Sequence, residues 1–172
     1  MYSITAIVPA YNEEKTIGNV LEEIKNSGLV DEIIVVSDGS TDGTVEIAKA
    51  QNIEVIELSD NIGKGGALKK GIERCNSDII LLLDADLIGL NFKHIQNLIN
   101  PVLEEEVDMT VGIFNKGRLA TDFAQRVTPY LSGQRAIRRN IIDSISNMEI
   151  TRYGAEVAIN KYVKANNIKF KE

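Results

Sequence analysis

Asp84 and Asp86 close the run Asp78-Ile79-Ile80-Leu81-Leu82-Leu83-Asp84-Ala85-Asp86. Consecutive aliphatic residues bounded by charge read as a parallel strand buried on both faces. The two carboxylates then stand at its carboxyl end, where open α/β sheets bind ligands. Their i, i+2 spacing puts them on the same side of an extended backbone. Two hard oxygen donors at such a mouth suit Mg²⁺ or Mn²⁺ carrying a diphosphate. The plainer alternative is a solvated strand end, since aspartate is common in turns.

Other chemistry-bearing residues also follow strand patterns. In Pro9-Ala10-Tyr11-Asn12-Glu13-Glu14, Tyr11 can pack on a base or ribose and Glu13 can accept from sugar hydroxyls. The same stretch predicts a helix start, with Asn12 as its cap and the glutamates at its positive end. Ser37–Thr44 combines glycines with Asp38 and Asp42, a turn whose backbone can approach a ligand while Asp38 bonds to it. Lys64, on the glycine-rich turn Gly63-Lys64-Gly65-Gly66 at a helix start, suits a base or phosphate contact. That turn is neither a dinucleotide fingerprint, whose last glycine it lacks, nor a P-loop. Cys75 reads as core filler, and His94, the only histidine, as an ordinary helix residue.

The elements that must position these residues alternate. Strands are expected at Ser3–Pro9, Glu32–Ser37, Ile53–Leu58, Asp78–Leu83 and Val107–Gly112. Helices are expected at Glu13–Ser27, Thr44–Ala50, Gly65–Cys75, Phe92–Leu103 and Gly154–Asn167, with a last strand starting at Ile168. Such alternation implies an α/β fold with a mostly parallel sheet and right-handed crossovers.

The 172 residues suit one domain with a sizeable core, and 44% hydrophobic and 26% charged residues are ordinary globular values. A net charge of −6 argues against a nucleic-acid binder. The lone Cys75 and an N-terminus without signal-peptide layout lead to the expectation of a reducing, cytoplasmic location. No apolar run is long enough for a transmembrane helix. Charge is uneven: Asn115–Arg139 holds Lys116, Arg118, Arg126, Arg135, Arg138 and Arg139 against the single acid Asp122, a net +5. Such a segment beside a metal–diphosphate site could receive a second, anionic substrate.

Together, Ile7–Glu14, Asp38–Thr44, Gly63-Lys64-Gly65 and Asp84-Ala85-Asp86 resemble, in order and spacing, family 2 glycosyltransferases of the A-type nucleotide-diphospho-sugar fold. Leu131-Ser132-Gly133-Gln134-Arg135-Ala136, with Arg152-Tyr153-Gly154-Ala155-Glu156, is similar to the dolichyl-phosphate mannose synthase-like and glucosyl-3-phosphoglycerate synthase branches. The resemblance implies a Rossmann-like sheet flanked by helices in one domain, with residues 1–115 binding the nucleotide sugar and 116–172 the acceptor. It implies metal-dependent transfer of a hexose from a UDP-sugar (favoured) or GDP-sugar to an anionic acceptor. Pro9, Ala10, Tyr11 and Glu13 would hold the nucleoside and ribose. Asp38 would contact the base, Lys64 the base or a phosphate, and Asp84 the ribose or donor sugar. Asp86, together with Asp84, would hold Mg²⁺ or Mn²⁺. Gly133, Gln134 and Arg135 would shape the acceptor pocket, and Glu156 would be the base where a hydroxyl acceptor requires one.

A homodimer and a peripheral membrane contact are compatible with the resemblance. Relatives usually continue through a histidine that completes the metal site and a further helix, so the chain is expected to be C-terminally incomplete. A nucleotidyltransferase and a non-catalytic nucleotide-sugar-binding module are the alternative readings. The first normally carries a glycine-rich basic loop after its first strand, which Pro9–Glu14 is not.

Overall fold

A computed structural model describes residues 2–112, 133–145 and 155–172, apart from the side chains of Ala155 and Glu156. Its elements are β1 (Ile4–Ala10), α1 (Ile17–Asn26), β2 (Glu32–Ser37), α2 (Thr44–Ala50), β3 (Glu54–Glu57), α3 (Lys64–Arg74), β4 (Ile79–Leu82), α4 (Phe92–Leu103), β5 (Met109–Val111), β6 (Arg135–Arg138), α5 (Arg139–Ile145), α6 (Ala155–Ala165) and β7 (Phe170–Lys171). The strands form one sheet in the order β3-β2-β1-β4-β6-β5-β7. The first four are mutually parallel. β6 runs antiparallel between β4 and β5, and β7 is parallel to β5.

The aliphatic runs become strands because helices cover both faces. All seven residues of β1 and all four of β4 are buried. Ile4, Ala6, Val8, Ile79 and Leu81 pack with Ile17, Leu21 and Ile24 of α1 and Ile95 and Ile99 of α4. Ile7, Ile34, Ile80 and Leu82 face Ala67 and Leu68 of α3, Ile141 of α5 and Ile159 of α6. Burying each such aliphatic side chain is worth about 1.5–3 kcal/mol. Cys75 is buried filler, as expected.

The chain leaves β1 toward β2 and β3, then crosses back to β4 on β1's other side. Crossovers departing in opposite directions leave a crevice at the carboxyl ends of β1 and β4. Pro9 sharpens it. The sequence pattern ends the strand at this proline; it continues instead to Ala10 along β2, where Ala10 O accepts from Asp38 N at 2.8 Å. Strand alternation puts Pro9 on the β4 side with Ile7, whose carbonyl accepts from Leu83 N. There the missing N–H has no ladder to complete, and the strands part.

Two sequence expectations change at the next turn. α1 begins at Ile17 rather than Glu13, after a turn in which Thr16 N and Ile17 N donate to Glu13 O. Asn12 does not cap it. Asn12 adopts a left-handed φ of 55°, which asparagine tolerates better than most residues, and its Oδ1 accepts from Thr41 N at 2.8 Å. Glu14 likewise accepts from Gly43 N at 2.9 Å. Thus the β1–α1 turn is stitched to the β2–α2 turn. His94 proves more than an ordinary helix residue: with Asn91 it closes a capping box on α4. Among the described residues, no helix is long and apolar enough to cross a membrane.

Asp42 secures the second turn. Its carboxylate accepts from Thr44 N at 3.0 Å, from Thr44 Oγ1 at 2.5 Å and from Glu14 N at 3.1 Å. Burial raises the carboxyl pKa, but the bonds from Thr44 and Glu14 outweigh it and hold Asp42 below its ordinary value. A depressed folded-state pKa gives stability that is complete above the unfolded value, 3.8, and is lost as pH falls through the folded value. Asp42→Ala is expected to cost about 1 kcal/mol at pH 7. In urea titrations, the gap from the unsubstituted chain should narrow below pH 3.8; a gap independent of pH would contradict this account.

Candidate active site

A cleft of about 410 Å³ opens at the carboxyl edge of β1, β2 and β4, lined among others by Pro9, Tyr11, Glu13, Lys64, Asp84 and Asp86. Ala10 and Asp38 complete the set expected to hold the donor and also line it. Each strand delivers its residue where the buried run ends. Tyr11 is half exposed, at 49%, and Asp86 is exposed.

Asp38 is 4% exposed and is the anchor of the floor. Its two oxygens accept from Ile62 N at 2.7 Å and Gly63 N at 2.9 Å. The carboxylate therefore fixes the loop that introduces Lys64. Sequence reading gave Asp38 to the ligand; its bonds in the structure go to the loop, although the residue still reaches the cleft wall. Gly63, at φ 86°, makes the turn into α3 that a residue with a β-carbon would strain.

Lys64 Nζ lies 2.6 Å from Asp84 Oδ1, and Gln134 Nε2 donates to Asp84 Oδ2 at 2.9 Å. Gln134 arrives there because β6 is antiparallel. Leu82 pairs with Arg135, so continuing the register sets Gly133 opposite Asp84. A β-carbon on Gly133 would fall 2.6 Å from Lys64 Nζ and 2.7 Å from Asp84 Oδ1. Only glycine leaves room there for the ion pair.

Gly133 and Gln134 thus reach the cleft region, but Arg135 does not expose its side chain there. It is fully buried and donates to Asn160 Oδ1 of α6 at 3.2 Å. Strand alternation sets Arg135 on the face of Gly133 and Asp84, one pair deeper in the sheet, with its guanidinium tied to α6 and not lining the cleft. The basic segment also divides. β6 carries Arg138 and Arg139 to the amino end of β4, where Arg138 bonds to Val102 O and Arg139 to Asp143. Lys116, Arg118 and Arg126 lie outside the described residues. Glu156 occupies the first turn of α6, four residues before Asn160; its side chain also lies outside them. Sequence reasoning missed Asn61, which lines the cleft beside Gly63.

Among the described residues, no three His, Cys, Asp or Glu side chains gather as a metal cluster. The protein would thus offer Asp86 and Asp84, with diphosphate and water completing the shell. Mg²⁺ commonly binds in this way, and the hard oxygen donors fit Mg²⁺ or Mn²⁺.

The comparisons agree with this geometry. The glycosyl transferase family 2 profile matches residues 5–160, and the chain belongs to that family. It is 42% identical over 113 residues to an uncharacterised protein of Methanocaldococcus jannaschii, covering 63% of this chain and 45% of that protein. It is 35% identical over 124 residues to glucosyl-3-phosphoglycerate synthase of Mycolicibacterium smegmatis, covering 66% of this chain and 41% of that enzyme. The chain therefore spans less than half the length of these curated relatives. The crystal structure of the Mycobacterium tuberculosis glucosyl-3-phosphoglycerate synthase with Mn²⁺, UDP-glucose and phosphoglyceric acid superposes with a TM-score of 0.81 at 27% identity, covering 99% of this chain and 69% of that one. The Rossmann-like A-type fold expected from sequence is thereby established.

Gly133→Ala tests the packing at the cleft. The tip of Lys64 can move, so the stability loss should stay near 1 kcal/mol, far below that of a core truncation. A crystal structure of the variant should show Lys64 displaced from Asp84. An intact 2.6 Å pair would refute the steric argument.

Proposed function

We propose that the cleft binds the nucleoside diphosphate of a UDP-sugar, and that the protein transfers the sugar to an anionic acceptor. The observation that carries this reading is the charge of the wall. Among the described residues that line it, Lys64 is the one cationic side chain, against Glu13, Asp38, Asp84 and Asp86. Asp38 is satisfied by backbone amides and Asp84 by Lys64 and Gln134, which leaves Asp86 as the exposed carboxylate. Such a wall repels a diphosphate unless a divalent cation comes with it. Bound at Asp86, the ion would supply charge stabilisation to the departing diphosphate.

The remaining residues orient the donor. Tyr11 offers a ring face to the base or ribose, and Glu13 accepts from hydroxyls. Asp84, held rigidly, accepts from the ribose or donor sugar. Lys64, which can reach a phosphate, adds a cation. Glu156 is the proposed base, because α6 precedes β7 directly and so starts at the carboxyl edge of the sheet. An anionic acceptor is supported by the mycobacterial structures with phosphoglyceric acid or glycerol 3-phosphate.

Calorimetric titration should give UDP binding that requires Mn²⁺ and exceeds that of ADP. Asp86→Asn should weaken it at least about tenfold with the fold intact, the scale reached even by changes around metal ligands. Equal affinity for both nucleotides, or an unaffected Asp86→Asn, would remove the assignment. Incubating the protein with UDP-glucose, Mn²⁺ and 3-phosphoglycerate should release UDP with formation of a glycosylated acceptor. Binding without any turnover would favour the non-catalytic module instead.

A further inference from the structure

We infer that Gln134 is a positioning residue for the donor, acting through Asp84, rather than a contact for the acceptor. The inference rests on reading the cleft as the nucleotide-sugar site. Gln134 is 6% exposed, so its amide has little surface to offer a second substrate. Its Nε2 donates to Asp84 Oδ2 at 2.9 Å, while Lys64 holds Oδ1 at 2.6 Å. A carboxylate gripped at both oxygens by different donors has one orientation and a reduced effective charge.

The backbone around Gln134 is built for that contact. Its carbonyl accepts from Gly112 N at 2.8 Å, extending the β5–β6 ladder by one pair. A β-carbon on Gly112 would stand 3.3 Å from Gln134 Cβ and 3.3 Å from Leu98 Cδ2. Glycine at 112 thus lets the strands close around the glutamine, and Gly133 leaves the space that Asp84 and Lys64 fill. A buried amide reaching a carboxylate 50 residues away in sequence is an arrangement fixed by the sheet.

Gln134→Met keeps the length of the side chain and removes its N–H. Titrated with UDP and Mn²⁺, this variant should bind roughly tenfold more weakly than the unsubstituted chain, while its affinity for 3-phosphoglycerate stays the same. In an Asp84→Ala background the same change should have little further effect, because alanine removes the oxygen that Gln134 holds. Thermal unfolding checks that each variant is folded, and Gln134→Asn, too short to reach Asp84, should repeat the result if the methionine variant does not fold. Unchanged UDP affinity, additive effects in the cycle, or a loss confined to 3-phosphoglycerate would each overturn the inference. Failure of the unsubstituted chain itself to bind UDP would instead remove the nucleotide-sugar reading on which it stands.

Discussion

A strand buried on both faces has only its ends to offer to water. β1 and β4 have no exposed residue and only one polar side chain between them, the buried Thr5, so the charged groups of their sequences stand beyond the strand ends. Parallel pairing sends the carboxyl ends of β1, β2 and β4 to the same edge, and the reversal of strand order at β1 leaves that edge uncovered. Tyr11, Glu13, Asp38 and Asp84 are neighbours because burial forbids them to be anywhere else. The desolvation cost of a carboxylate inside the sheet exceeds what any local propensity could offset.

β6 adds a second device. Entering between β4 and β5 with opposite polarity, it starts at the edge where the parallel strands end. Residues preceding it reach the cleft, and those following leave by the far side. One reversal of direction therefore sorts a basic segment into unlike parts. Gly133 and Gln134 face Asp84, Arg135 is buried beneath α6, and at the opposite end of the sheet Arg138 bonds to α4 while Arg139 opens α5. Local net charge carries no information about that sorting, which is why the basic character of the segment gave no sign that Arg135 would be buried against Asn160.

What the sequence disclosed follows the same line between local and non-local causes. The alternation of elements, the buried run before Asp84 and the glycine turn at Lys64 were legible, because each is a pattern within ten residues or so. The start of α1 was not. Asn12 has the composition of a cap, yet its side chain goes to Thr41, a partner that exists only once β1 and β2 are paired. Asp38 was recognisable as a carboxylate at a strand end, but its attachment to Ile62 N and Gly63 N depends on where β3 returns the chain. The hydrogen bond from Gln134 to Asp84 had no sequence signal, since it arises from strand register.

The Lys64–Asp84 pair bears on how such a site can be both ordered and receptive. Lys64 is 43% exposed at its side chain and Asp84 25%, so the pair is partly solvated and its net contribution to folding is small. The order comes from elsewhere: Asp38 fixes the loop beneath Lys64, and Gln134 fixes the far oxygen of Asp84. In the proposed function, an arriving phosphate would compete for Lys64 against a weak, exposed contact rather than a buried one, and the lysine could change partners without leaving a desolvated charge behind. Had both groups been buried, the same exchange would have stranded an unpaired carboxylate in the wall. The half-exposed pair on a rigid base is the arrangement in which binding energy goes to the ligand rather than to repairing the protein.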